Sequence, residues 1–241
     1  MNLLKRAALL IAVLCSVSCG IEEFYYLPEA REAWITRNFN TNAEIRIPAN
    51  YLNSFNYSSG YVIFYRIYLS NLSDGLLSNY ASINTTLSSD YRYFEPYTDP
   101  TTTTTLEANT FRSRSYYEIE IENAAIGDTA LSKNGATFTI NFPAVGDLPY
   151  ISYNGNDYPL LRSTGGGAFF PEPNRYFLNT DVIRDNANAT STINADVQPV
   201  SAAAFAYVSM YIAAAGQNPI NFNKIYGKPA HINIFQLTRD Q

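Results

Sequence analysis

From Ala43 onward apolar and polar residues alternate along much of the chain. In AEIRIP (43–48), Ile45 and Ile47 fall on one side of an extended backbone and Glu44 and Arg46 on the other. That is the pattern of a strand with one buried face. ATFTINFP (136–143) repeats it with Phe138, Ile140 and Phe142 inward. YYEIEIEN (116–123) sets Ile119 and Ile121 against Glu118, Glu120 and Glu122. GYVIFYRIYLS (60–70) is apolar on both faces and predicts a central strand. AFAYVSMYIAAAG (204–216) invites a helix through its alanines, but Val208, Met210 and Ile212 alternate with Ser209 and Tyr211. It reads as a long strand, and KPAHINIFQL (228–237) as the last one.

Between these segments the pattern weakens. Residues 71–115 are rich in Asn, Ser and Thr, with a run of threonines at 101–105 and one short strand candidate, YRYF (91–94). Asn134-Gly135 and Asn154-Gly155 are turn signals. The first suggests that 116–123 pairs with 136–143, although too many residues intervene for a two-residue hairpin. Residues 146–199 hold short strand candidates at YISY (150–153) and RYFL (175–178), a glycine run at 165–167, and Pro171 and Pro173. The expectation is one all-β, sandwich-like domain over 33–241, with a long irregular insertion at about 71–199. Tyr 20 and Phe 14 against Met 2 and His 1 agree with a strand-rich fold.

The N-terminus follows different rules. Lys5 and Arg6 precede an apolar run, residues 7–14. As a helix that run rises only about 12 Å, against a hydrocarbon core of roughly 30 Å, so it fits an export signal and not a membrane span. Both cysteines follow at once, in CSVSCG (15–20). Two cysteines without further Cys or His partners do not make a metal site. Removal of residues 1–18 takes away two cations and no acid, so the formal charge of −5 becomes more negative still. Such a chain is a poor partner for nucleic acid.

Ser16-Val17-Ser18-Cys19-Gly20 resembles the lipobox of bacterial prolipoproteins, of the looser kind found in spirochaetes. The resemblance implies cleavage before Cys19, a lipid on the Cys19 thiol, and a membrane partner through that lipid. Residues 19–32 then form a tether, and Gly20 in place of the Asp retention signal implies sorting to the outer membrane. The alternative is plain secretion after cleavage near Ser18, with Cys19 a free thiol. Residues 207–237 resemble the closing hairpin of a fibronectin type III or immunoglobulin-like sandwich, with 60–70 and 43–48 as two earlier strands. Trp34 stands too early to match the tryptophan of fibronectin domains. The combined pattern is similar to spirochaete lipoproteins without an assigned activity.

Catalytic chemistry finds little footing. His231, the only histidine, lies in a strand with no G-x-S-x-G elbow anywhere, and reads as structural. Glu118, Glu120 and Glu122 share a strand face at about 7 Å spacing; they form either an acid/base or cation-binding row or a solvated face, and the solvated face is the better reading. Asp90, Glu95 and Asp99 lack calcium-loop spacing. No metal or cofactor is expected. The aromatic excess has more leverage: Tyr91, Tyr93, Phe94 and Tyr97 form the best cluster for a ligand. The expected function is a lipid-anchored envelope protein with a non-enzymatic binding or structural role. The alternative is a carbohydrate-binding or adhesin module, taking a glycan or protein partner; a hydrolase ranks below both.

Overall fold

The computed structural model describes residues 27–38, 41–70, 116–121, 135–143, 147–162, 177, 197–198, 205–220, 222 and 224–237. A 3-10 turn (Glu32–Trp34) leads into β1 (Ile35–Asn38), β2 (Asn42–Ile47) and β3 (Ser58–Ser70). Then come β4 (Tyr117–Glu118), β5 (Glu120–Ile121), β6 (Ala136–Asn141), β7 (Tyr150–Tyr153) and β8 (Asn156–Leu161). β9 (Val197–Gln198), β10 (Phe205–Gln217), β11 (Lys224–Tyr226) and β12 (Ala230–Leu237) complete the series. The strands form two sheets. The first has the order β1-β2-β6-β7-β8-β5. The second has the order β11-β10-β3-β4, with β12 also on β10 and β9 parallel to β3. The described fold is an all-β sandwich.

The alternation expected for β2 and β6 holds. Ala43, Ile45, Ile47, Phe138 and Ile140 are buried between the sheets, and Glu44 and Arg46 pair with each other outside. β3 is buried on both faces. Tyr61, Ile63, Tyr65 and Ile67 enter the main core, and Val62 and Phe64 enter a second cluster behind the sheet. β10 divides the same way, with Ala206, Val208, Met210, Ile212 and Ala214 inward and Tyr211, Ala213 and Ala215 behind. Phe142 from the end of β6 stacks on Phe235 of β12 at 4.3 Å, joining the sheets through the core.

Several described segments of the expected insertion join the two sheets. Within the expected insertion, β5 to β8 are members of the first sheet. Asn154-Gly155 closes the β7–β8 hairpin with φ of 50° and 78°, the paired positive values that match strand twist. Asn134-Gly135 has another use. Gly135, at φ 92°, lies so close to Ala49 that a Cβ would stand 2.7 Å from its Cα. That approach sets β6 beside β2, with β7 on its other edge, so β6 does not pair with the described residues 116–121. Residues 116–121 instead change sheets. β4 pairs with β3, β5 pairs with β8, and the buried Ile119 between them donates its N–H to Ile63 O at 2.8 Å.

A bulge in β12 ties the sheets together. Met210 faces Asn233 and Tyr211 faces His231, so Ile232 is the extra residue. In a trans chain each carbonyl opposes the next N–H. The bulge therefore turns two successive carbonyls, of His231 and Ile232, away from β10. Arg37 of β1 fills that gap, donating from Nη2 to His231 O at 2.5 Å and from Nε to Ile232 O at 2.7 Å. The same bulge shifts the inward face from Ala230 and Ile232 to Phe235 and Leu237, and Asn233 donates to Asn38 O at 2.9 Å and Asn42 O at 3.1 Å. Replacing Arg37 with Leu leaves both carbonyls without their donor. We expect a loss of about 2–4 kcal/mol of stability in urea unfolding; an unchanged midpoint would show that the seam is not needed.

Candidate functional site

His231 is a packing residue. It is 3% exposed, and its ring meets Tyr211 edge-on at 4.8 Å. Tyr211 in turn meets Tyr116 at 5.5 Å. Burial, and secondarily the Arg37 guanidinium, hold the imidazole down to about 3. A histidine so enclosed and kept neutral is not a shuttle for protons.

Glu118 departs from the solvated face that alternation suggests. Its carboxylate accepts from the Tyr226 hydroxyl, and from Lys224 Nζ at 3.1 Å to each oxygen. Both partners lie on β11, across β3 and β10 on the back of the second sheet. Phe64 meets the Tyr226 ring at 5.0 Å beneath them. Burial and the neighbouring carboxylate push the Tyr226 hydroxyl well above the usual phenol range. The group is a polar clasp over an aromatic cluster. The side chains of Glu120 and Glu122 lie outside the described residues. So do Cys19, Asp90, Glu95, Asp99, Tyr91, Tyr93, Phe94 and Tyr97. Among the described residues no group of three His, Cys, Asp or Glu is placed to hold a metal ion.

An open groove lies where β3 begins and β10 ends, with a volume of about 750 Å³. A second bulge builds it. Ala215 faces Gly60 and Gly216 faces Ser58, so Ser59 is the extra residue of β3. Gly216 admits the Tyr57 carbonyl, which a Cβ would meet at 2.3 Å, and that carbonyl accepts from Gln217 N at 3.0 Å. Ser54, Asn56, Ser59 and Gln217 supply exposed hydroxyls and amides, with Tyr57 and Phe222 as the aromatic walls. No lining residue carries a charge at neutral pH. Such a lining can hydrogen-bond and stack, and it holds no carboxylate, imidazole or amine.

Beside the groove the β10–β11 turn exposes Ile220 at 67% and Phe222 at 69%. Sequence pattern missed both, because a two-residue period says nothing about a turn. The available signal was NPINF (218–222), a turn that carries Ile and Phe where polar residues are usual.

The buried histidine gives a pH test. Its folded value lies below the ordinary 6.5, so the unfolded chain binds the extra proton between the two. The stability is complete above about 6.5 and drains as pH falls toward 3. Between pH 7.5 and 5.0 the wild type should lose about 2 kcal/mol more than His231→Phe in urea unfolding. Equal losses would show that the ring protonates freely in the fold.

Compared with protein-family models, curated proteins and solved structures, the chain matches none.

Proposed function

We propose that the chain is an exported, lipid-anchored protein of a bacterial cell envelope, with a binding or structural role and no catalytic one. The observation that carries the non-enzymatic part is the fate of the two best catalytic candidates. His231 is walled in by Tyr211 and its neighbours, and Glu118 is clasped by Tyr226 and Lys224. Both serve packing.

The lipobox-like SVSCG supports anchoring through Cys19, and the position of Leu27 supports a short tether. Leu27 is buried and stands only eight residues after Cys19, so at most about 27 Å of chain separates the lipid from the packed domain. Acyl chains give about 0.8 kcal/mol per buried methylene, and stable anchoring takes more than one chain; a diacylated or triacylated cysteine supplies them. Outer-membrane sorting follows from Gly20 in the same resemblance. The finer likeness to fibronectin type III or immunoglobulin domains is supported by β10, β11 and β12, which occupy the place of the closing hairpin.

Growth with a clickable fatty acid, followed by fractionation, tests the anchor. Wild type should take up the label and sediment with membranes, and Cys19→Ala should do neither. Label retained on Cys19→Ala would overturn the assignment.

A further inference from the structure

We propose that the β10–β11 turn is a second membrane contact, and that Ile220 and Phe222 enter the bilayer beside the anchor. This rests on the lipid-anchor reading above and adds a docked orientation to it. The first observation is exposure. Ile220 and Phe222 are the exposed large hydrophobic residues of the described structure.

The turn is braced to present them. Asn218 O accepts from Phe222 N at 2.8 Å, Asn218 Oδ1 accepts from Ile220 N at 2.9 Å, and Gln217 Nε2 donates to Phe222 O at 2.8 Å. Phe222 sits at φ 61°, a conformation that costs an aromatic residue energy and persists only under such bracing.

The second observation is charge. Residues 47–65 and 197–223 contain no Asp, Glu, Lys or Arg, in a chain of formal charge −5. The first of these runs includes the loop before β3, and the second includes the turn, so both supply this end of the sandwich. These two runs offer no repulsion to anionic headgroups, and the described acids beside them, Glu118 and Glu29, are each paired with a lysine, Lys224 and Lys228. Its exposed Ser54, Asn56 and Gln217 side chains can hydrogen-bond at headgroup level.

The third observation is direction. A Cβ on Gly227 would touch the carbonyl of Pro28, Ala30 donates to Lys228 O, and Arg37 reaches His231 and Ile232. The N-terminal segment thus runs in step with β11 and β12. Leu27 is its end nearest the turn. Phe222 lies five residues before Gly227, at most about 17 Å away, and Cys19 lies within about 27 Å of Leu27. A lipid on Cys19 and the apolar tip can therefore meet one surface together.

The test uses acylated protein in phosphatidylethanolamine–phosphatidylglycerol vesicles with nitroxide-labelled lipids. Cys19 carries the lipid, so a cysteine introduced by Ile220→Cys, or by Thr41→Cys at the far end of β2, is the one free thiol for a fluorophore. Quenching should be at least about threefold greater at 220 than at 41, and Phe222→Ser should reduce it at 220. Vesicle-bound protein with equal quenching at both positions overturns the tip and leaves the anchor standing. Failure of wild type to bind vesicles overturns the anchor first. A shift at 220 that needs no vesicles and grows with protein concentration would assign the tip to a second copy. Protection of 220 by a neutral oligosaccharide, without lipid quenching, would assign it to a glycan in the groove.

Discussion

The β3–β10 ladder is the constraint on which the other elements depend. Two 13-residue strands pair in one register from Phe205 with Ser70 to Ala215 with Gly60, and the Ser59 bulge then sets Gly216 opposite Ser58. Every other strand of the second sheet is hydrogen-bonded to one of these two. Because both strands are apolar on both sides, a slip by one residue would still bury apolar groups, and alternation alone does not set the register. What sets it are the positions that tolerate no exchange. Gly216 must face the Tyr57 carbonyl, and Tyr61 must reach Trp34, whose ring it meets edge-on at 6.1 Å.

Two bulges interrupt this ladder system, and each converts a local fault into a longer-range connection. At Ile232 the fault frees two carbonyls on one side of β12, and a guanidinium with a fork of donors fits that pair. Asn233 turns inward at the same place and ties the β1–β2 turn down through two carbonyls. At Ser59 the fault starts β3 one residue early and opens the groove beside Gln217. Bulges re-aim side chains in just this way.

Most strands were legible because period two survives wherever one face meets solvent, as in β2 and β6. β3 and β10 were legible through their length and apolar content. The β4–β5 step was not. Glu118, Ile119, Glu120 and Ile121 alternate without a break, yet the chain changes sheets at Ile119, since alternation records facing and not partners. β8 was hidden by Pro159, which sits where Tyr150 is its partner near the end of the hairpin. The site was legible only in the negative, as a sequence with one histidine and no catalytic motif around it. Arg37 and Asn233 gave no sequence signal, because it is the β12 bulge that frees two carbonyls for Arg37 and turns Asn233 toward Asn38 and Asn42.

The N-terminal crossing connects fold to orientation. Leu27 to Ala30 passes over the break between β11 and β12, at the one residue there that has no side chain. Glu29 is bracketed by Lys228 at 3.6 Å, and its carbonyl accepts from the Tyr51 hydroxyl at 3.2 Å. Arg31 lies over the Tyr51 ring, which meets Trp34 edge-on at 4.8 Å. These contacts fix the segment against both the β11–β12 edge and the loop before β3. Under the proposed anchor, a tether joined at Leu27 would transmit direction as well as position, because Leu27 to Ala30 are held over Gly227. In a domain anchored from that side, the loop before β3 and the β10–β11 turn face the anchoring surface. Acidic side chains in those loops would then oppose binding to an anionic surface, and the loops contain none.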